Sequence, residues 1–431
     1  MSNSLIVNQS LNLKGRVNLS GAKNAVLVEM AATLLADGVS ILKNVPASED
    51  VFNMSALLQD LGAKVDFDII SKTLKIDTTL VDSYQVTSER MKKMRASILV
   101  LGPLLAKFLR ARVALPGGCT LGARPIDYHI KNFQKLGVQF LQNEDFLDAV
   151  VQKLNSRDLF LDYPSVGATE NILMAATLTE GVTKIINAAL EPEVLDLICM
   201  LQKMGASIKI QLPATIVIEG VSVLRPVTHE VVFDRLEAGS LLLAAAITGG
   251  SIYLPQADAN ILEGFLYKLV EMGHEIKTSN GIELIATSEP KAVAIKTHPY
   301  PGFPTDLQAP MMVAQCLAEG TSVVEETVYE NRMLHAHELN RMGANIKVTG
   351  NSATVTGVKK LQGMQVLASD IRASCALVLA GLVAQGTTVV EGLHHFRRGY
   401  DALENKLKQL GADIYIGELS EKREDLIEKY K

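Results

Sequence analysis

The sequence predicts an α/β protein of two lobes, each built from three units of about 70 residues. Three observations carry this. A phrase of Leu or Met, then Gly, then an alternating strand recurs as LGAKVDF, LGVQFLQ, MGASIKI, MGHEIKT, MGANIKV and LGADIYI, with glycines at 62, 137, 205, 273, 343 and 411. A second marker, a helix-like run ending in Gly before a β-branched strand, precedes five of the six (LLADGVSIL, LTEGVTKII, ITGGSIYLP, LAEGTSVVE, VAQGTTVVE) by 23 to 25 residues. At 431 residues, with 48% hydrophobic and 21% charged content, the chain is too long for one core and apolar enough for two.

Each unit reads as a helix of Ala and Leu, a glycine stop, a strand, a second helix, another glycine stop and another strand. The lobes are expected at 22–233 and at 1–21 with 234–431, the first 21 residues lending a strand to the second lobe. The space between two such lobes is the expected ligand site. Aromatic content of 5%, no Trp and a net charge of −5 exclude a nucleic-acid platform. No apolar run reaches the roughly 18 residues a membrane span needs, and the start lacks a secretory pattern, so a cytoplasmic protein without membrane or nucleic-acid partners is expected. Cys119, Cys199, Cys316 and Cys375 are scattered without a C-x-x-C pair, which suits a reducing compartment. The last three sit in apolar helical patterns and are expected to be inert core residues.

The starts of the first helices (SGAKNAVL, KKMRASIL, SVGATENI, FDRLEAGS, FPTDLQAP, SDIRASCA) carry the chemistry. A helix N-terminus favours anions, so Lys23, Arg95 and Arg372 run against preference. An anionic ligand gathered by cation and dipole together explains all three, although a lone surface cation is ordinarily just solvated. Asp306 reads equally well as a helix cap and as a catalytic base.

The second unit breaks the pattern with LPGGCTLGARP at 115–125. Gly117 and Gly122 have phosphate-loop spacing, but Ala and Arg follow where Lys and Ser or Thr belong. The His pairs LHAHEL and GLHHFRR lack zinc-ligand geometry. A Cys and His hydrolase built on Cys119 and His129 lacks an acyl-binding motif. What remains is a thiol beside the Arg124 guanidinium, in an enzyme for a small, multiply charged anion.

At SGAKNA, PGGCTLGARPIDYH, SVGATENILMAATLTEG, GFPTDLQAP, ETVYENR, DIRASCALVLAG and RRGYDALENKLKQLGA the chain resembles the UDP-N-acetylglucosamine enolpyruvyl transferases over its whole length. The resemblance implies two inside-out α/β barrel lobes of three repeats each, with the active site in the cleft between them. It implies transfer of the enolpyruvyl group of phosphoenolpyruvate to the 3'-hydroxyl of UDP-N-acetylglucosamine with release of phosphate, the committed step of peptidoglycan synthesis, with no cofactor and no metal. By the same resemblance Lys23, Asn24, Arg124, Arg372 and Arg398 hold phosphoenolpyruvate. Cys119 is the general acid and can form a covalent adduct, Asp306 takes the sugar hydroxyl's proton, and Asp370 supports the site. Arg95, Arg124, Pro125, Ile126, Asp127, Tyr128, Ser165, Val166, Gly167, Asp306 and Val328 hold the nucleotide sugar. A lysine that some members place before SVGAT is absent here, and Tyr163 is its candidate replacement. The role at HFRRGY falls on Arg398 rather than Arg397 because Arg398 directly precedes GY. Two alternatives share the pattern: an enolpyruvylshikimate-phosphate synthase, which lacks the PGGCTLGARP loop, and an inactive paralogue that senses the nucleotide sugar.

Overall fold

The computed structural model describes residues 3–86, 95–114, 126–142 and 146–418. The chain divides into two compact units, Ser20–Asp234 and Met1–Leu19 with Arg235–Lys431.

One rule builds every sheet. In Ser20–Asp234, strand Val39–Lys43 takes Thr228–Glu230 alongside in parallel and Thr73–Asp77 antiparallel, and Lys64–Asp68 completes the order. Val182–Ile186 repeats this with Asp158–Phe160 in parallel, then Thr215–Glu219 and Ser207–Gln211. Arg110–Ala114 repeats it with Phe146–Val150 and Gln139–Gln142, and among the described residues a parallel bridge joins Gln85 to Arg112 on its other side. Because Thr228–Glu230 comes from the end of this unit and pairs with its first strand, the unit closes on itself.

The other unit follows the same rule with help from the N-terminus. Asn3–Asn8 lies antiparallel between Thr387–Glu391 and Ile414–Glu418, and Lys14–Arg16 runs parallel to Ser251–Leu254. The N-terminal segment therefore supplies two strands, to two different sheets. The third sheet, Ile295–Lys296, Thr321–Glu325, Ser352–Thr356 and Asn345–Thr349, is local.

Helices occupy the middle of each unit. Ile371–Val383 is buried continuously from Arg372 to Val383, and Arg235–Thr248 and Gln308–Leu317 pack against it and against each other. A helix apolar on every side needs neighbours on every side. The sheets meanwhile alternate buried and solvent-facing residues, as in Val39–Lys43, where Ser40 and Leu42 are buried and Val39 and Lys43 exposed. Helices inside and sheets outside is thus the arrangement of both units, each by itself.

The recurring glycines close the outer helices. All six have positive φ between 96° and 107°, and in each the glycine amide and the next amide donate back to carbonyls of the last helical turn, as Gly62 does to Gln59 and Ala63 to Leu58. The missing second-unit marker is also accounted for: Leu109 ends helix Leu101–Phe108 in the left-handed conformation, φ 57°, where the other copies use glycine. One expectation is overturned. Cys316 and Cys375 are buried, but Cys199 is exposed. Helix Pro192–Lys203 buries Val194, Leu197, Ile198 and Leu201, and Cys199 falls on the opposite stripe with Leu195 and Gln202.

Candidate functional site

In Ser20–Asp234, Lys23 opens helix Lys23–Ala32. Gly21 lets the chain enter it closely, since a Cβ there would stand 2.0 Å from the Asn44 carbonyl oxygen. Lys23 Nζ lies 3.2 Å from Oδ2 of Asp50, in the first turn of Glu49–Asp60. The pair is largely shielded, with side chains 12% and 4% exposed, so Asp50 supplies one of the anions that a cation at a helix start requires. Asn24, beside it, is exposed.

A second group forms around Val166–Ala176. Ser165 caps this helix by accepting from the Ala168 amide at 3.4 Å. Ile126 precedes helix Asp127–Lys135, in which Asp127 is exposed and Tyr128 stacks on Tyr163 with ring centroids 6.4 Å apart. Lys131 pairs with Asp162, and the His129 ring lies 3.5 Å from where a Cβ on Gly167 would be. The structure thus brings Ile126, Asp127 and Tyr128 together with Ser165, Val166 and Gly167, and sets Tyr163 among them.

Asn171 ties these elements to the helix that starts at Arg95. Its Oδ1 accepts from the Gly102 amide at 2.7 Å, and its Nδ2 donates to the Ile98 carbonyl at 2.9 Å and lies 3.1 Å from His129 Nδ1. One buried amide thus ties Val166–Ala176 to Arg95–Val100, to the start of Leu101–Phe108 and to the first turn of Asp127–Lys135. Arg95 is the first residue of Arg95–Val100. Cys119, Arg124 and Pro125 lie outside the described residues.

In the other unit Asp306 is the centre. It stands in the turn Thr305–Leu307 before Gln308–Leu317, and its side chain caps neither. Arg332 Nη2 donates to Oδ1, while Arg372 approaches Oδ1 with Nε at 3.3 Å and Oδ2 with Nη2 at 3.3 Å. Burial alone would raise this carboxyl, but Arg372 and Arg332 outweigh it and hold the group well below the usual carboxylate range. The cap in this neighbourhood is Asp370, which accepts from the Arg372 and Ala373 amides at 2.8 and 3.0 Å. Against the upward push of burial, those amide bonds and the Ser369 hydroxyl lower its pKa.

Arg372 is fixed in turn. Its Nη1 donates to the Tyr400 hydroxyl at 3.2 Å, its guanidinium lies over the Tyr400 ring, and that hydroxyl is 3.1 Å from Ser240 Oγ. On helix Leu393–Gly399, Arg398 is half-buried and Arg397 exposed. The Val328 amide donates to Glu326 Oε1 at 2.9 Å, so the loop at Val328 is anchored from its own strand end.

Sequence reasoning missed Arg332, Glu326, Tyr400 and Asn171 as members of these groups. The first two lie in ETVYENR, Tyr400 closes RRGY and Asn171 lies in SVGATENI. The motifs contain all four, but only the fold tells which of those polar side chains converge.

Among the described residues one trio, Glu29, Asp196 and His229, has its ligand atoms within 4.8 Å of one another. Lys203 Nζ lies 3.1 Å from His229 Nδ1 and already places a cation against that ring, where a metal-bound imidazole would need its own N–H. No helix among the described residues is long and apolar enough to cross a membrane.

Comparison with known proteins gives a consistent picture. A family model described as EPSP synthase (3-phosphoshikimate 1-carboxyvinyltransferase) matches residues 7–407. The chain is 48% identical over 416 residues to UDP-N-acetylglucosamine 1-carboxyvinyltransferase 1 of Caldanaerobacter subterraneus subsp. tengcongensis, covering 96% of this chain and 100% of that protein. It is 47% identical over 412 residues to UDP-N-acetylglucosamine 1-carboxyvinyltransferase of Trichlorobacter lovleyi, covering 95% and 98%. The enolpyruvyl transferase NikO from Streptomyces tendae shares the fold at a TM-score of 0.88 and 24% identity, over 96% of this chain and 99% of that one. EPSP synthase from Acinetobacter baumannii does so at 0.74 and 18%, over 97% and 100%.

Proposed function

Because the chain belongs to the UDP-N-acetylglucosamine 1-carboxyvinyltransferases, we propose that it moves the enolpyruvyl group of phosphoenolpyruvate onto the 3'-hydroxyl of UDP-N-acetylglucosamine and releases phosphate. This is the first committed step of peptidoglycan synthesis, and it would run in the cytoplasm. The observation that carries the reading is an ionised Asp306 gripped by Arg332 and Arg372 and about a quarter exposed.

The chemistry assigns the parts. Protonation of the methylene carbon of phosphoenolpyruvate leaves an oxocarbenium-like carbon that the sugar hydroxyl attacks, forming a tetrahedral ketal. Loss of a methyl proton and of phosphate then restores the double bond. Cys119 donates the first proton to the methylene carbon, and its thiolate can add to the adjacent oxocarbenium-like carbon as a covalent adduct. Asp306 accepts the hydroxyl proton as the new C–O bond forms. Its low pKa suits a late transfer, when the attacking oxygen is already positive and strongly acidic. Lys23, Asn24, Arg124, Arg372 and Arg398 hold the phosphate and carboxylate of phosphoenolpyruvate, and Asp370 keeps the Arg372 helix start in place. Arg95, Arg124, Pro125, Ile126, Asp127, Tyr128, Ser165, Val166, Gly167 and the Val328 main chain hold the nucleotide sugar, with Tyr163 beside them. What supports this last set is the clustering of Ile126–Tyr128 with Ser165–Gly167 around one helix start.

The test is phosphate release from phosphoenolpyruvate in the presence of UDP-N-acetylglucosamine, run beside Cys119→Ala. The reading predicts release by the wild type and its loss in the variant. Silence of the wild type, or acceptance of shikimate 3-phosphate in place of the sugar, would refute it.

A further inference from the structure

Glu326 is 2% exposed and follows strand Thr321–Glu325 directly. Both of its oxygens are occupied. Oε1 accepts from the Thr297 hydroxyl at 2.9 Å, the Val328 amide at 2.9 Å and the Tyr329 amide at 3.1 Å. Oε2 accepts from the Thr305 hydroxyl at 2.9 Å. That hydroxyl in turn accepts from Arg332 Nη1 at 2.7 Å, and Nη2 of the same guanidinium donates to Asp306. A neutral side chain cannot satisfy four donors with acceptors alone, whereas a carboxylate can. A buried carboxylate is costly unless so bonded, so its presence at this point calls for a reason beyond packing.

We propose that Glu326 is a positioning residue that links the grip on the acceptor sugar to the placement of its proton acceptor. One oxygen sets the main chain at Val328. The other, through Thr305, sets the angle at which Arg332 meets Asp306. This rests on the transferase reading, in which Val328 and Asp306 both face the nucleotide sugar. Ordering the Val328 loop and orienting Asp306 then become one event, because the same carboxylate is the hinge of both.

The two arms can be cut separately. Thr305→Val removes the hydroxyl between Glu326 and Arg332 and leaves the Oε1 bonds alone. It should lower kcat about 10-fold or more while leaving KM for UDP-N-acetylglucosamine within about twofold, since small misplacement of a reacting group costs rate rather than affinity. Glu326→Gln can turn its carbonyl to Thr297, Val328 and Tyr329 and its amide to Thr305, so it should resemble Thr305→Val. The double variant should fall no further than either single one, the sign of a shared path. Glu326→Ala cuts both arms and should also raise KM for the sugar about 10-fold, with KM for phosphoenolpyruvate little changed.

A merely structural Glu326 would lower thermal stability in all variants without this split between kcat and KM. Wild-type kcat in Thr305→Val, or additive losses in the double variant, overturns the proposal. If Glu326→Ala does not fold, the Thr305→Val and Glu326→Gln pair still decides. A wild type that releases no phosphate refutes the transferase reading instead, so the two failures are distinct.

Discussion

Arg372 meets Asp306 side-on, its Nε and Nη2 each 3.3 Å from a different carboxylate oxygen. Two-point contact of this kind fixes orientation as well as charge. Together with Arg332 it keeps Asp306 ionised across the whole neutral range.

Asp306 therefore does not set the acid limb of the wild-type rate profile. Removing a neighbouring cation favours the neutral form and raises the carboxyl pKa, and the base is lost as pH falls through the new value. Arg332→Gln should accordingly move the acid limb of kcat/KM to higher pH, and Asp306→Asn should lower kcat about 100-fold at every pH. Superimposable profiles for Arg332→Gln and wild type would show that Arg332 does not govern the ionisation of Asp306, and wild-type kcat in Asp306→Asn would show that Asp306 is not the proton acceptor.

The thiols should separate by reagent. Burial pushes Cys316 up to about 12 and raises Cys375, so both should resist alkylation in the folded protein. Exposed Cys199 should react with iodoacetamide, whereas the epoxide fosfomycin, directed by the phosphoenolpyruvate site, should add its mass at Cys119 alone. Peptide mass mapping reads both, and fosfomycin at Cys199 would disprove the assignment of the reactive thiol.

Two equivalent glycines should differ in their tolerance of a methyl group. Gly62 and Gly205 have φ of 102° and 107°, so alanine is strained at both, by about 1 kcal/mol. A Cβ at Gly62 would also stand 2.8 Å from the Leu80 carbonyl oxygen, whereas at Gly205 nothing lies within 4 Å. Urea unfolding should find Gly62→Ala the less stable variant, and equal midpoints would contradict the packing argument.

Acid should weaken the protein through His274. Its Nδ1 accepts from the Thr287 amide at 3.2 Å, and burial pushes its pKa down to about 4. Between about 6.5 and 4 the unfolded imidazole takes up a proton that the folded one refuses, so stability falls as pH falls across that window, by on the order of 3 kcal/mol. His335 acts in the same sense, with burial and Arg332 outweighing Asp370. Replacing His274 by Gln should flatten the decline in unfolding free energy measured at stepped pH, and an unchanged slope would assign it elsewhere.

The repeats were legible because the same backbone problem, ending a helix and turning into a strand, was solved by glycine in all copies but one. Where Leu109 solved it, the marker vanished from the sequence although the conformation stayed. Asp306 could be read as cap or base because both roles place a carboxylate at a helix start. Only the convergence of Arg332 and Arg372, which lie 26 and 66 residues away, separates them. Cys199 was misread because an apolar run shows that a helix has a buried face, but one off-phase residue within it is easily counted on the wrong side.

The N-terminal segment pairs with strands that begin at Ser251, Thr387 and Ile414. During synthesis, Ser20–Asp234 carries all of its own strand partners and can close as soon as Thr228–Glu230 leaves the ribosome. Asn3–Asn8 must wait for nearly the whole chain before its two neighbours exist. A strand made before both of its neighbours is thus among the last seated, and until then its open hydrogen-bonding edges are exposed to any other nascent chain nearby.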